Sequence, residues 1–238
     1  MARGEYVWRQ PGTGLVCPAQ GRIAGTERMP DNIDFKQLEN LATALLAKPG
    51  PGRQIIAITG APGSGKSTLV ERLADTLGMD AAILPMDGFH YDDAVLEQMG
   101  RRPWKGAPDT YDVGGLRNIL ARLRNPDEGA VAVPVFDRDL EISRGSARII
   151  GPDARLILVE GNYLLLNIDP WPSLRPAFDL TIRIEVPEPE LRRRLTRRWQ
   201  SYGLTEAEIA FKLDKNDLPN GHMVVSNSAA PDHLMHVK

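Results

Sequence analysis

One segment of the chain has the residue types and spacing to hold a row of phosphates. Residues 60–67 read Gly-Ala-Pro-Gly-Ser-Gly-Lys-Ser and match the pattern G-x-x-x-x-G-K-[S/T] in full. The glycines let backbone N–H groups turn inward around phosphate oxygens, and a helix that follows adds the positive end of its dipole. The pattern predicts that Lys66 reaches the β- and γ-phosphates of ATP and that the Ser67 hydroxyl is a ligand of Mg²⁺. The predicted nucleotide contacts are Gly60, Ala61, Pro62, Gly63, Ser64, Gly65, Lys66, Ser67 and Thr68.

Two carboxylates follow apolar runs that are typical of buried strands. Asp87 comes directly after residues 81–86, Glu160 after residues 155–159, and a glycine follows each acid. Ligands of open α/β sheets bind at the carboxyl ends of the strands, so both carboxylates should project toward the phosphate loop. A hydroxyl acceptor needs a group that takes its proton, and Mg²⁺ prefers oxygen ligands. One acid is therefore a candidate base and the other a candidate metal ligand, although either alone could be a helix cap or a turn residue.

An arginine-rich segment, residues 192–199, is the third candidate for phosphate chemistry. At about 100° per residue, Arg194, Arg197 and Arg198 share one face of a helix. Guanidinium groups suit the spread charge of a phosphoryl group in transfer, because they bind its oxygens in a bidentate way. A solvated basic face and an RNA-binding stripe are the alternatives, and the second lacks an aromatic stacking platform.

These residues need a scaffold, and the hydrophobic pattern predicts one. Short, nearly continuous apolar runs alternate with helical segments, which is typical of parallel strands that helices cover on both faces. We therefore predict an α/β, doubly wound, mainly parallel sheet with a phosphate loop. Strands are predicted at residues 55–59, 81–86, 130–136, 155–159, 180–186 and 223–225, and helices at residues 35–45, 67–77, 113–124 and 189–202.

Several ordered motifs resemble those of the P-loop kinases that include uridine kinase, bacterial pantothenate kinase and phosphoribulokinase. They are found at residues 85–91, 105–112, 134–138 and 159–163, and the resemblance covers about residues 54–225. It is closest to an uncharacterised subgroup labelled fructose transport system kinases, with the patterns D-G-F-H-x-D-D and N-D-x-P-N. The resemblance implies that Asp87 is the general base and Glu160 sits at the Mg²⁺ site. It also implies that Arg194 and Arg197 belong to a lid, around residues 189–204, that closes over ATP.

The resemblance further implies which segments surround Asp87 and bind the acceptor. Asp112 stands where nucleoside kinases of the family recognise a sugar hydroxyl, and Phe136 stands where they carry an aromatic residue. Glu141 replaces a histidine of those kinases, which weakens the case for uridine or cytidine as the acceptor. Arg101 and Arg102 fit a surface loop as well as they fit acceptor binding. His90 fits a packed histidine as well as it fits a residue that supports the site. The candidate acceptor residues are His90, Tyr91, Arg102, Tyr111, Asp112, Phe136, Arg138 and Glu141.

The two ends of the chain give weaker signals. Residues 1–30 are rich in Gly, Pro and Arg without periodicity, so we expect a disordered leader before a single domain at residues 31–238. A translation start at Met29 would also explain that leader. Near the other end, residues 215–221 are expected either near the nucleotide base or the lid, or in a plain turn.

Composition excludes several classes of protein. The 238 residues carry a formal charge of −2, so no basic field attracts nucleic acid or an anionic membrane. Residues at the N-terminus do not have the charged-then-apolar layout that is typical of a signal peptide, and the sequence has no run of 18 or more apolar residues. The one cysteine, Cys17, cannot form an intramolecular disulfide, which favours the cytoplasm. We expect a small-molecule partner, no nucleic-acid or membrane partner, and a homodimer if the chain assembles.

The combined pattern predicts an ATP- and Mg²⁺-dependent kinase that phosphorylates a hydroxyl of a small metabolite, such as a sugar, a nucleoside or a pantothenate-like alcohol. The first alternative is a nucleotide-dependent switch or ATPase that acts on a protein partner. Such proteins carry an aspartate-based Walker B motif, a guanine-reading motif or a transporter signature, and the sequence shows none of these. The second alternative is a catalytically silent nucleotide-binding module, which the intact Lys66, Ser67, Asp87 and Glu160 disfavour.

Overall fold

The computed structural model of the chain describes residues 30–50 and 52–237. The predicted leader therefore lies outside the described residues, apart from Pro30. The strands are β1 Asp31–Asn32, β2 Gln54–Gly60, β3 Ala81–Pro85, β4 Val131–Asp137, β5 Ile142–Ile150, β6 Leu156–Gly161, β7 Leu180–Glu185 and β8 His233–His236. The helices are α1 Phe35–Leu46, α2 Lys66–Leu77, α3 Asp93–Gln98, α4 Val113–Arg124, α5 Glu188–Ser201, α6 Glu206–Lys212 and α7 Leu218–Asn227.

Six strands form a parallel sheet in the order β1-β8-β7-β2-β6-β3. The central strands β2 and β6 are buried on both faces, which explains why their sequences are apolar without alternation. Ile55 and Ala57 of β2 pack into a core that includes α4. Ile56 and Ile58 pack on the opposite face, against α1 and α2. The predicted α/β fold class is confirmed.

The local signals at helix ends agree with the observed boundaries. Asp34 caps α1, since its side chain accepts the N–H of Gln37, and the Gln37 side chain accepts the N–H of Asp34. Helix α2 begins at Lys66, directly after the phosphate loop, and ends before Gly78, whose φ is +65°. Helix α4 has the predicted bounds.

The prediction that residues 130–136 belong to the parallel sheet is wrong. Strand β4 pairs with β5 in an antiparallel hairpin, a separate two-stranded sheet. The pairing register shifts between Val133 and Val135, at Pro134, which has no N–H to donate to a ladder. Strand β5 was not predicted because its exposed sequence, with Arg144, Ser146 and Arg148, lacks an apolar pattern.

The prediction of a strand at residues 223–225 is also wrong, because these residues lie in α7. Pro219 occupies the first turn of that helix, where its missing N–H costs nothing. Leu218, Gly221 and Val224 are buried at three-residue spacing, so the segment packs through a helical face. A π-helical turn, Leu213–Asp217, joins α6 to α7. In the part of the chain that the structure describes, no helix has the length and apolarity needed to cross a bilayer.

Candidate active site

The phosphate loop lies at the carboxyl end of β2, in the middle of the sheet. Gly63 and Gly65 have φ of +77° and +92°, a left-handed conformation that glycine adopts without strain. Lys66 is buried, and its Nζ donates to the carbonyl oxygens of Gly60 and Ala61 at 3.0 Å each. The buried Ser64 hydroxyl has no hydrogen-bond partner within the described residues. A phosphate chain that lies in the loop would offer oxygens to both side chains, so the loop fits such a ligand.

The two strand-end acids lie on neighbouring strands. Pro85 of β3 pairs with Glu160 of β6, and Asp87 follows in a 3₁₀ turn, Met86–Phe89. The glycine after each acid has a packing reason. A Cβ on Gly88 would lie 2.5 Å from the carbonyl oxygen of Pro134, and one on Gly161 would lie 2.4 Å from Cβ of Met86. These close approaches bring the turn, the hairpin and β6 together around the acids.

The environments of the two acids push their pKa values in opposite directions. Burial raises the pKa of Asp87, but the charges of His90, Arg138 and Lys66 outweigh it, so the pKa lies below its ordinary value. Burial, together with the charge of Asp87, raises the pKa of Glu160 to about 7. Asp87 is thus ionised at neutral pH, whereas Glu160 is partly protonated there when no cation is bound. A cation near Glu160 would displace that proton.

The donor set near Glu160 fits Mg²⁺. The Ser67 hydroxyl donates to Oε1 of Glu160 at 3.4 Å, so a hydroxyl and a carboxylate oxygen face the same point beside the phosphate loop. No group of three or more His, Cys, Asp or Glu side chains that could hold a metal occurs in residues 30–50 and 52–237. Mg²⁺ does not need such a cage, because it usually binds one or two carboxylates together with substrate phosphates and water.

A group of side chains around Asp87 forms one wall of the site, which we call the acceptor wall. Its members are His90, Tyr111, Phe136 and Arg138. Arg138 Nη2 donates to Asp87 Oδ2 at 2.7 Å, and the Tyr111 hydroxyl donates to Oδ1 at 3.4 Å. The Nδ1–H of His90 donates to the carbonyl oxygen of Asp87 at 2.8 Å, because a carbonyl can only accept. The His90 ring lies between the rings of Tyr111 and Phe136, with centroid distances of 4.1 and 4.8 Å. Burial lowers the pKa of His90, although the charge of Asp87 and the hydrogen bond to its carbonyl oxygen oppose this.

The loop that carries Arg102, Lys105 and Gly106, which we call the acceptor loop, completes the acceptor wall. Asp93 binds both cations, with distances of 3.0 Å to Arg102 Nε and 2.7 Å to Lys105 Nζ. The Tyr163 hydroxyl donates to the carbonyl oxygen of Gly106 at 2.7 Å and holds the loop against the core. Asp93 and Lys105 also line the cleft although the sequence did not predict them, because their positions depend on how this loop folds over Tyr163.

Some predicted acceptor residues do not reach the cleft. Asp112 is exposed and caps α4, where Oδ1 accepts the N–H of Gly115 at 2.8 Å. Partial burial of Tyr91 raises its pKa, and the negative charge of nearby Asp112 raises it further. Neither residue lines the cleft. Arg101 pairs with Asp109 at 2.7 Å and also lies outside it, whereas Arg102 is one of its lining residues.

Helix α5 packs directly over the phosphate loop. Leu195 packs closely against Gly63, since a Cβ added to Gly63 would lie 3.0 Å from Leu195 Cγ. Arg194 Nη1 lies 3.5 Å from the carbonyl oxygen of Ser64. Arg194 and Arg198 line the cleft. Arg197 is exposed and does not line the cleft. The reason is the rotation of α5: the side chain four residues after Arg194 faces the cleft, whereas the side chain three residues after it faces solvent.

The segment at residues 215–221 forms helix and not a plain turn. Three of its polar residues, Asn216, Asp217 and Asn220, are buried. Asn220 Nδ2 donates to Asn216 Oδ1 at 3.0 Å, and Asn216 Nδ2 donates to the Lys105 carbonyl oxygen at 3.2 Å. Trp199 of α5 donates its indole N–H to Asp217 Oδ2 at 2.7 Å. The segment therefore contacts α5, the acceptor loop and, through Gly221 beside Ala61, the phosphate loop.

These elements enclose a cleft of about 980 Å³. That volume is at the upper end of the roughly 300–1,000 Å³ of small-molecule sites. Most of the predicted site residues line it. They are Pro62, Gly63, Gly65, Lys66, Ser67, Thr68, Asp87, His90, Arg102, Tyr111, Phe136, Arg138, Glu141, Glu160 and Arg194.

These features are typical of P-loop kinases. They are a parallel sheet with a phosphate loop after a central strand, two carboxylates at strand ends and an arginine-bearing helix over the loop. No protein-family model matches the chain. A Schizosaccharomyces pombe protein named "Putative uridine kinase C227.14" is 32% identical over 217 residues, which cover 87% of this chain and 92% of that protein. "Uncharacterized protein YggC" of Escherichia coli K12 is 36% identical over 203 residues, which cover 83% of each chain.

A solved structure agrees with the sequence relatives. It is described as a "putative fructose transport system kinase" from Silicibacter sp. TM1040, and it superimposes with a TM-score of 0.79 at 36% identity. The match covers 87% of this chain and 100% of that one. The chain belongs to the P-loop kinase family whose members include proteins named uridine kinase and pantothenate kinase. It is a kinase that acts on a small molecule.

Proposed function

We propose that the protein transfers the γ-phosphoryl group of ATP to a hydroxyl of a small metabolite, with Asp87 as the general base. The observation that carries the proposal is the position of Asp87. Its ionised carboxylate lies in the same cleft as Lys66, and Tyr111 and Arg138 orient it. A carboxylate placed so can accept the proton of a hydroxyl that attacks a phosphorus atom held by the phosphate loop.

The proposed reaction balances without a further reactant. The acceptor oxygen forms a bond to the γ-phosphorus, and the bond from that phosphorus to the oxygen shared with the β-phosphate breaks. The hydroxyl proton moves to a carboxylate oxygen of Asp87, and ADP leaves. Lys66 and the guanidinium groups of Arg194 and Arg198 stabilise the negative charge on the transferring group.

We propose Ser67 and Glu160 as the protein ligands of Mg²⁺. When bound, the ion neutralises phosphate charge and fixes the orientation of the phosphate chain. The proton that Glu160 holds near neutral pH must leave before the carboxylate can act as a ligand. Its raised pKa, to about 7, supports a site built for a cation, because burial beside Asp87 leaves excess negative charge there once both acids are ionised.

Helices α5 and α6 are proposed to act as a lid. Leu191 and Leu195 of α5 form a small core with Ala61 of the phosphate loop and Ile209 of α6, separate from the two cores of the sheet. Such a unit can move without opening the sheet. A lid that closes over the nucleotide excludes water, and this matters because water would otherwise take the phosphoryl group.

The acceptor class is not fixed by the relatives. The named kinases among them act on different alcohols, uridine and pantothenate. The hydroxyl is therefore assigned from the geometry at Asp87 and not from a relative's substrate.

The test compares wild-type protein with Asp87→Asn. ADP release and phosphorylated product are measured with Mg²⁺ and ATP across sugars, nucleosides, sugar acids and polyols. We expect acceptor-dependent transfer, lowered about 10²–10⁴-fold in the variant because an amide cannot take the proton. Asp92→Asn is the matched control: Asp92 caps α3 outside the cleft, and asparagine caps equally well.

Two outcomes would contradict the proposal in different ways. Transfer that survives Asp87→Asn removes Asp87 as the base and leaves the kinase assignment in place. ATP hydrolysis that no acceptor changes, but that a protein partner stimulates, favours a nucleotide-dependent switch.

A further inference from the structure

A helical segment with one irregular turn joins the proposed lid to the sheet. Residues 206–227 are helical throughout, but the π-helical turn Leu213–Asp217, which we call the π-turn, separates α6 from α7. The N–H of Leu218 donates to the carbonyl oxygen of Leu213, five residues earlier. Pro219 favours this wide turn, because in an α-helix its ring would clash with the carbonyl oxygen four residues before it. The π-turn is therefore a defined point at which the segment can bend.

The residues on either side of the π-turn pack in different parts of the molecule. Leu213 and Leu218 belong to the small core that α5 and α6 share, whereas Val224 belongs to a core of the sheet. Gly221 lies against the phosphate loop, since a Cβ added to it would be 3.3 Å from Cβ of Ala61. The π-turn thus lies at the boundary between the lid and the rest of the protein, which is the position of a hinge.

Two side chains of the π-turn bind in different directions. Asn216 Nδ2 donates to the carbonyl oxygen of Lys105 in the acceptor loop at 3.2 Å. Asp217 Oδ2 accepts the indole N–H of Trp199 in α5 at 2.7 Å. Asn220 holds the Asn216 side chain in place, because its Nδ2 donates to Asn216 Oδ1 at 3.0 Å. All three polar residues of this segment are only 6–7% exposed, so their hydrogen bonds are shielded from water.

From this arrangement we propose that Asn216 is a positioning residue that ties the acceptor loop to the lid. Its hydrogen bond to the acceptor loop fixes the π-turn, and Asp217 then holds Trp199, and with it the neighbouring Arg198, over the cleft. The position of the lid therefore depends on the acceptor loop. The order of the acceptor loop depends equally on the lid, because coupling between two sites acts in both directions.

The consequence for the proposed reaction is that the lid closes in step with the side of the cleft that binds the acceptor. Closure coupled in this way limits the transfer of the phosphoryl group to water. The inference rests on the lid of the proposed function, but it does not depend on which hydroxyl is phosphorylated. It can therefore be tested with the nucleotide alone.

The test is hydrogen exchange measured by mass spectrometry, with Mg²⁺ and a non-hydrolysable ATP analogue as the probe. Slower exchange in α2, which follows the phosphate loop, reports that the analogue is bound. In wild-type protein we expect the analogue to slow exchange in α5 and α6 and also in residues 102–106 of the acceptor loop. The effect in the acceptor loop should be at least about 5-fold, the lower end of typical coupling between sites.

Two substitutions at Asn216 remove the contact with the acceptor loop. Asn216→Asp deletes the donor to Lys105, while its carboxylate still accepts from Asn220. Asn216→Leu deletes the donor without burying a charge. In both variants the analogue should slow exchange in α2 as in wild type but lose most of its effect in the acceptor loop. Asn227→Asp is the matched control, since Asn227 is exposed at the end of α7, and it should behave as wild type.

Variants on the other side of the π-turn separate positioning from a structural role. Trp199→Phe removes the donor to Asp217 and should uncouple the acceptor loop as Asn216→Asp does. The double variant should show little further loss, because two breaks in one connection are not additive. Asp217→Asn keeps a carbonyl oxygen for the indole N–H and should retain the coupling.

Two results would overturn the inference and leave the proposed transfer reaction in place, because that reaction depends on Asp87. The first is an acceptor loop that the analogue protects in both Asn216 variants as it does in wild type. The second is faster exchange throughout the lid of both variants before the analogue is added, which would indicate a structural role only. Unchanged exchange in α2 of wild-type protein would instead overturn the proposed nucleotide binding, and the inference with it.

Discussion

At the scale of single residues, the site depends on two carboxylates with different surroundings. Asp87 is partly exposed and faces three cationic or polar partners, whereas Glu160 is 7% exposed and faces Asp87. A pair of acids whose pKa values diverge in this way can divide two roles between them. The ionised acid suits proton acceptance, and the acid that a cation must deprotonate suits metal binding.

The raised pKa of Glu160 predicts a dependence of stability on pH. Its folded pKa of about 7 is higher than the ordinary 4.5, so the protonated form favours folding. This contribution is fully present below pH 4.5 and is lost as the pH rises through 7. Without Mg²⁺, Glu160→Gln should therefore raise the melting temperature by a few degrees at pH 8. The difference should fade toward pH 4.5.

Thermal unfolding with and without Mg²⁺ tests this prediction. The ion should stabilise wild-type protein with a nucleotide analogue more than it stabilises Glu160→Gln. Glu97→Gln, an exposed acid on α3, serves as the control and should behave as wild type at each pH. A lower melting temperature for Glu160→Gln at pH 8 would contradict the prediction, because it would mean that neighbouring cations offset the cost of the buried Glu160 charge.

At the scale of elements, the face that α5 presents to the cleft decides which of its arginines line the cleft. Leu191 and Leu195 fix the rotation of the helix because they are buried against Ala61 of the phosphate loop. That rotation carries Arg194 and Arg198 into the cleft and leaves Arg197 outside it. Arg198 also lies 5.4 Å from the Trp199 ring centroid, and Trp199 in turn binds Asp217.

The rotation of α5 predicts unequal effects of two neighbouring substitutions. Arg198→Ala should lower kcat for phosphoryl transfer by roughly 10²-fold, the usual cost of removing one group that stabilises transition-state charge. Arg197→Ala should stay within a few-fold of wild type, and it serves as the matched control on the same helix. The reverse order would mean that the lid closes with a different face of α5 toward the phosphates.

At the scale of the whole molecule, one buried arginine joins parts of the chain that are distant in sequence. Arg53, 7% exposed, precedes β2 and donates to carbonyl oxygens at the end of α4 and in two loops. These oxygens belong to Leu123, Glu128, Gly129, Gly151 and Ala154, at distances of 2.5–3.3 Å. The planar fork of the guanidinium offers more N–H donors than a lysine ammonium does, and it spreads them over several acceptors.

Removal of this arginine should destabilise the fold. Arg53→Met leaves buried carbonyl oxygens without donors, so we expect the free energy of unfolding to fall by about 2–4 kcal/mol. Urea unfolding measures the change. Arg155→Met is the control, because Arg155 is exposed and donates to one carbonyl oxygen, that of Lys48, at 3.3 Å. Equal stability of the two variants would contradict a central role for Arg53.

The sequence by itself determined the fold class and the meeting of the phosphate loop with the two strand-end acids in one cleft. Buried parallel strands are apolar on both faces, and the carboxyl ends of adjacent strands share an edge, so the order of Lys66, Asp87 and Glu160 along the chain was enough to predict their meeting. Only local rules were needed for this. Pro134 was the one local signal that residues 130–136 form a hairpin instead of a sheet strand.

Only the tertiary structure decided which side chains surround these groups. The rotation of α5 exchanges Arg197 for Arg198, and the helix cap at Asp112 removes that residue from the cleft. The acceptor loop brings Lys105 beside Phe136, and the hairpin brings Arg138 onto Asp87. Each of these contacts joins segments that are far apart in sequence. Their geometry depends on how separate elements pack, and residue types and spacing within one element carry no information about that packing.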